Sequence, residues 1–445
     1  MAKLIYDGAG RLLFTKEMKE EYTLLMPQML PVHFGMMKKL LECEGYKVDM
    51  LTTNHRGLVD EGLKYVHNDT CYPALLVIGQ LIDAVKHGGY DPHKVGLLIT
   101  QTGGGCRASN YIHLLRKALV KADMAYIPVV SVNLSGLEKN PGFSLTLPFI
   151  RKAVYAMMYG DIIVNVANQV RPYETEQGAA DRMTDRWSQR LVDGFQAGKG
   201  MSRRQMRDNF DQICSDFAAI PVEGEPKIRV GVVGEIYVKF APLGNNNLEK
   251  FLLSEGVEPV VPGLTDFIIF KIYNRVADVE LYGGKWIKKF GCDLFMKYIE
   301  ACQRDMIEAL ERSGRFRAPG AFQDLHKLVH GYLGDGNKMG EGWLLTAEML
   351  ELIHSGTNNI VCTQPFGCLP NHIVGKGMIR KLKDDYPYSN IVAIDYDPGA
   401  TKINQENRIK LMLANARGLT RQEQTRPREE ALRPEREPQL AHANI

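Results

Sequence analysis

Short apolar runs separated by stretches of helical periodicity make up most of this chain. Residues 29–45 carry the repeat of an amphipathic helix and lead into a short strand at 46–51. The alternation continues with a helix over 74–87, a strand Val-Gly-Leu-Leu-Ile-Thr at 95–100, a helix over 111–122 and a strand at 126–132. From 148 to about 216 the strand signal lapses into long helices rich in Arg, Gln and Met. It resumes with a strand at 228–233, the loop Asn245-Asn246-Asn247, a helix over 248–255 and a mixed helical stretch with aromatic residues over 264–320. A helix over 341–354, a strand at 359–362, a helix over 372–383, a strand at 391–396 and a helix over 400–415 complete the pattern.

Strands and helices alternating at this spacing predict an α/β protein with two or more Rossmann-like, doubly wound parallel-sheet domains and a helical insertion. The expected divisions are 1–147, holding Cys71 and Cys106; the helical insertion 148–226; 227–416, holding Cys362 and Cys368; and the tail 417–445. That tail carries five Arg and five Glu between 420 and 437 with hardly an apolar residue, the composition of a disordered segment.

Composition narrows the function. With 45% hydrophobic and 24% charged residues, 445 residues suffice for two or three domains. A net charge of +3 gives no basic footprint for nucleic acid or a membrane surface, so small molecules or proteins are the expected partners. No run approaches the ~18 apolar residues of a membrane span, and the first residues lack a signal-peptide pattern, which predicts a cytoplasmic protein. In a reducing compartment its eight cysteines are thiols, metal ligands or catalytic groups.

Three of these cysteines lie in unusual surroundings: Cys71 in Asn-Asp-Thr-Cys-Tyr-Pro, Cys106 in Gly-Gly-Gly-Cys-Arg-Ala-Ser-Asn, and Cys368 in Gln-Pro-Phe-Gly-Cys-Leu-Pro-Asn-His. A cysteine between a strand and a helix start is well placed as a metal ligand, because backbone N–H groups there stabilise a thiolate. Gly103, Gly104 and Gly105 let the backbone approach a cluster and offer N–H donors to it, and Arg107 adds a positive charge beside an anionic group. Cys362, at the end of a strand, is a fourth candidate ligand or a core residue. Competing readings are a glycine turn around an inert thiol and a phosphate loop. Structural zinc fits poorly, since its ligands usually come as Cys-x2–4-Cys pairs, whereas these stand singly, 35 and then 262 residues apart. An iron–sulfur cluster fits better. Cys43, Cys214, Cys292 and Cys302 lie in helix-like stretches and read as packing residues.

Weaker candidates are Glu235 near Tyr237, and Asn371-His372 beside Cys368, as acid–base or hydrogen-bonding groups. The turn Asp395 to Thr401 reads as a helix start capped by Asp397 rather than a phosphate site, there being neither a Walker lysine motif nor a GxGxxG fingerprint.

The stretches Asn-Asp-Thr-Cys-Tyr-Pro-Ala, Gln-Thr-Gly-Gly-Gly-Cys-Arg-Ala-Ser-Asn-Tyr, Gly-Glu-Ile-Tyr-Val-Lys and Gln-Pro-Phe-Gly-Cys-Leu-Pro-Asn-His-Ile-Val-Gly-Lys-Gly, spread over 68–377, resemble the 2-hydroxyacyl-CoA dehydratase and double-cubane-cluster superfamily. In particular they are similar to the dehydratase-like half of the large activase-related proteins. The resemblance implies a [4Fe-4S] or larger iron–sulfur cluster held between domains by Cys71, Cys106 and Cys368, with Cys362 as a fourth candidate. It also implies a dimer acting on a small molecule or acyl-CoA, and an ATP-dependent, actin-like activase as electron donor. The chain has no activase module of its own, no motif that demands CoA, and fewer cysteines near the site than a double-cubane cluster needs. The alternatives are a non-catalytic metal-binding scaffold that partners an activase, and an actin-like nucleotide-binding protein.

Overall fold

The computed structural model describes residues 2–67, 70–100, 105–132 and 138–418. Its eight strands form two four-stranded, all-parallel sheets. The first contains β1 (Thr23–Pro27), β2 (Lys47–Leu51), β3 (Val95–Thr100) and β4 (Val129–Val132) in the order β2-β1-β3-β4. The second contains β5 (Arg229–Gly234), β6 (Glu258–Val260), β7 (Asn359–Pro365) and β8 (Asn390–Tyr396) in the order β6-β5-β7-β8. The halves therefore repeat one topology, in which the chain crosses back over its first strand and leaves a switch point at the carboxyl ends of β1 and β3 and of β5 and β7.

Two of these strands escape the apolar pattern. β1 is five residues long and lies directly behind the polar helix Lys16–Glu21, while β6 has three residues and includes a proline. β1 is nonetheless central, paired with β2 along its whole length and with β3 from Thr23↔Val95 to Leu25↔Leu97. The expected helix over 372–383 begins instead with a π-helical turn, Asn371–Gly375, and reaches α-helical geometry only at Ile379–Asp385. Thr401, not Asp397, caps the last helix, Lys402–Arg417, while Asp397 accepts from Gly399 N within the preceding turn.

The expected insertion forms three helices, Leu147–Val170, Ala179–Gln196 and Arg203–Ala218. These do not stand alone. They share one apolar cluster with Leu264–Tyr282 and Trp286–Arg312, helices from the second half of the chain. Asp161 ties the two sets together, lying 2.9 Å from His33 Nε2 and accepting from Leu264 N at 2.8 Å and Thr265 N at 2.9 Å, so that it caps a helix 103 residues away. The sheets share a core as well, with Leu97 and Ile99 of the first and Val232 and Val361 of the second in one buried cluster. No helix among the described residues is long and apolar enough to cross a membrane. The tail expected to be disordered lies outside the described residues from 419 onward.

Candidate metal centre

The carboxyl ends of the two sheets meet. Tyr72 N, at the start of the helix Tyr72–His87, donates to Phe366 O beyond β7 at 3.0 Å. Gly367 makes this approach possible. Its φ is +72°, which an L residue adopts only with strain, and a Cβ there would lie 3.1 Å from Cys71 Cα and 2.9 Å from Arg107 Nη1. Gly234 plays the same part at the end of β5, where its φ of +141° lets the chain pass so close to Thr363 that a side chain would overlap it.

The three turns that converge here each start a helical segment with a cysteine. Cys71 is the N-cap of Tyr72–His87, Cys106 precedes the 3-10 turn Arg107–Asn110, and the Cys368 carbonyl accepts from His372 N at 3.1 Å. Tyr111, first residue of the helix Tyr111–Lys121, brings its hydroxyl to 2.8 Å from the Cys71 sulfur and so links the Cys71 turn to the Cys106 turn. Cys71 and Cys368 are buried, and Cys106 is half-buried.

Burial pushes all three thiols above their ordinary pKa. Cys71 rises to about 11, with the Tyr111 hydroxyl opposing the rise, while for Cys106 and Cys368 the negative charges of Glu341 and Glu235 add to burial. A pocket of this kind favours neutral thiols until a cation displaces their protons. Glu235, N-cap of Ile236–Phe240, accepts from Val238 N at 2.9 Å, and Glu341 accepts from Ile236 N at 3.0 Å. Burial, and then the Glu341 charge, hold the Glu235 carboxyl well above the usual carboxylate range. Lys271, whose charge opposes the rise at Cys106, donates to Gly340 O, and burial disfavours its ammonium.

The remaining sequence candidates divide. Gly105 and Arg107 reach this pocket, Gly105 against the Met339 side chain and Arg107 against Gly367. Gly103 and Gly104 lie outside the described residues. Cys362 is placed elsewhere, fully buried in β7 among Val233, Met349 and Ile360, with its thiol donating to Asn371 Oδ1 at 3.5 Å. Asn371 is committed to that strand, donating to Thr363 O at 2.8 Å, and His372 is exposed. Asp395 pairs with Lys376 at 3.0 Å and Arg408 at 3.3 Å. Cys214 and Cys302 pack in the helical core.

Sequence reading passed over Tyr111, Lys271 and Glu341. The glycine-rich run Gly331 to Gly342, with five glycines, was the available signal for Glu341, since it marks an irregular loop near a site. A wider surface cavity of about 580 Å³, lined by Arg190, Asp193, Lys199 and Asn209, contains no cysteine and lies apart from this chemistry.

The sulfurs of Cys71, Cys106 and Cys368 do not all lie within 4.8 Å of one another. One tetrahedral zinc, with Zn–S of about 2.3 Å, sets its sulfurs only about 3.8 Å apart. As placed, the three thiols are therefore not gathered around one tetrahedral ion. Fold and site together define a class, an α/β protein with two parallel sheets and three cysteine-bearing turns where their carboxyl ends meet. No protein-family model matches the sequence, and no curated protein gives a significant match.

Proposed function

We propose that this chain is a cytoplasmic iron–sulfur protein of dehydratase-like type, with two Rossmann-like halves and a [4Fe-4S] cluster held by Cys71, Cys106 and Cys368. Its role is that of the electron-accepting reductase or dehydratase component of an ATP-driven low-potential system. One observation carries the proposal, the convergence of three singly spaced cysteines from separate loops on one interdomain pocket.

Bound there, the cluster supplies one-electron reduction at low potential. The protein's part is to bind, shield and move protons. Arg107 places a cation beside an anionic group, and the Tyr111 hydroxyl offers a hydrogen bond to the Cys71 sulfur. Glu235, kept protonated by burial and by Glu341, holds a proton beside the thiols for transfer to a reduced substrate. Three protein ligands leave room for a small molecule or acyl-CoA. The electron donor is a separate ATP-dependent activase, and assembly is dimeric.

The test is iron and acid-labile sulfide content, with EPR of the dithionite-reduced protein, after purification without oxygen. About four irons and four sulfides per chain with a reducible signal are expected. Protein from which iron and sulfide are absent after anaerobic reconstitution overturns the proposal. Reduction of the cluster by an activase with ATP, and turnover of a reducible substrate, would then separate a catalytic component from a scaffold.

A further inference from the structure

We infer that the chain carries a second metal site, formed by His326, His330 and Asp335, which takes one zinc-type divalent cation and anchors the glycine-rich 331–342 loop. His326 lies in the helix Phe322–Val329 and His330 is its C-cap, so that four-residue spacing puts both rings on one face. The chain then turns at Gly331 and brings Asp335 back against them.

The ligand-type atoms of the three residues all lie within 4.8 Å of one another. His326 Nε2 is 2.8 Å from Asp335 Oδ1 and 3.3 Å from His330 Nε2. Zinc with Zn–N of 2.0–2.1 Å separates tetrahedral donors by about 3.3 Å, so small adjustments admit the ion. A cation at the point they share would take a lone pair from each ring nitrogen and from the carboxylate oxygen.

The surroundings are those of a supported site. Tyr273 donates to the other Asp335 oxygen at 2.8 Å, and the Tyr273 and Trp343 rings pack on His326 with centroids 4.7 and 4.9 Å away. His330 is exposed, so the ion has a route in from solvent, and a fourth position remains for water. Two imidazoles and one carboxylate favour zinc and its neighbours over calcium or magnesium, which prefer all-oxygen sets.

The ion would fix the root of a loop whose far end builds the cysteine pocket. That loop sets Met339 against Gly105, the Gly340 carbonyl against Lys271 and the Glu341 carboxylate against Ile236 N. The inference does not depend on whether the cysteines hold iron.

The probe is Co2+ titrated into metal-free full-length protein, in the wild type and in Cys106→Ser, His330→Ala and Tyr273→Phe. Wild type and Cys106→Ser should both show the visible d–d absorption of one Co2+ on nitrogen and oxygen donors, separate from any thiolate charge transfer at the cysteines, which Cys106→Ser diminishes. Tyr273→Phe should weaken binding ~10–100-fold, and His330→Ala, an exposed change that far-UV circular dichroism can verify as folded, should weaken it at least as much. Zinc should raise the melting temperature of wild type and not of His330→Ala. The inference is overturned if wild type binds no Co2+ at this site, if His330→Ala binds as tightly as wild type, or if Cys106→Ser abolishes the signal.

Discussion

The Cys71 sulfur and the Tyr111 hydroxyl lie 2.8 Å apart, a contact across 40 residues of sequence that joins the turns bearing Cys71 and Cys106. Burial lifts the Cys71 thiol to about 11 and this hydrogen bond pulls it down. In Tyr111→Phe the sulfur loses its partner, so Cys71 in the metal-free protein should react with iodoacetamide more slowly at alkaline pH, and urea unfolding should show a loss of about 1 kcal/mol. Unchanged labelling of the Cys71 peptide by mass spectrometry would refute the role given to the hydroxyl.

The cysteine assignment predicts an unequal series. Cys106→Ala should lose most of its iron after anaerobic reconstitution, whereas Cys214→Ala, in the helical core, should keep it. Cys362→Ala should also keep it, because that thiol faces Asn371 within a separate apolar cluster around β7. Full iron in Cys106→Ala, or an iron-free Cys362→Ala that remains folded, would change the ligand set.

Asp266 gives a pH dependence with a definite sign. Burial raises its pKa to about 8, the Gln303 amide opposes the rise at 2.7 Å, and the charges of Glu348, Asp161 and Glu351 add to it. A carboxyl raised in the folded state contributes stability that is full below its unfolded pKa of about 3.9 and is lost as pH rises through about 8. Asp266→Asn still accepts from Gln303 and cannot ionise. Its melting temperature relative to wild type should therefore rise between about pH 5 and pH 9; a flat difference counts against the argument.

Lys239 and Glu348 form an ion pair at 2.8 Å, each side chain only 4% exposed. Lys239→Met leaves a buried carboxylate without its cation and should cost about 3–5 kcal/mol, whereas adding Glu348→Leu should restore most of that loss. Denaturant midpoints of the two variants decide the matter. Equal stability of the single and double variants would show that the pair is not coupled.

Much of the strand order along the chain was legible because strands such as Val95–Thr100, buried from Val95 to Ile99, read as continuous apolar runs. β1 and β6 were not, since β1 follows a polar helix with a single residue between them and β6 has three residues with a proline among them, although pairing with neighbours makes β1 central. The cysteine turns were legible for a different reason. Glycine and proline beside a thiol record backbone geometry directly, and Gly367 shows the positive φ such a position demands.

The sequence by itself determined the alternating α/β pattern, the long helices after 148 and the three cysteine turns, all properties of local periodicity and local backbone freedom. Only the tertiary structure decided that Cys362 faces Asn371, within a separate apolar cluster around β7, and that the helices Leu264–Tyr282 and Trp286–Arg312 complete the helical layer. It likewise brought Glu341, Lys271 and Tyr111 to the thiols. Those outcomes rest on contacts between residues tens to hundreds of positions apart. Such contacts follow from how apolar faces are buried together, and no window of sequence contains them.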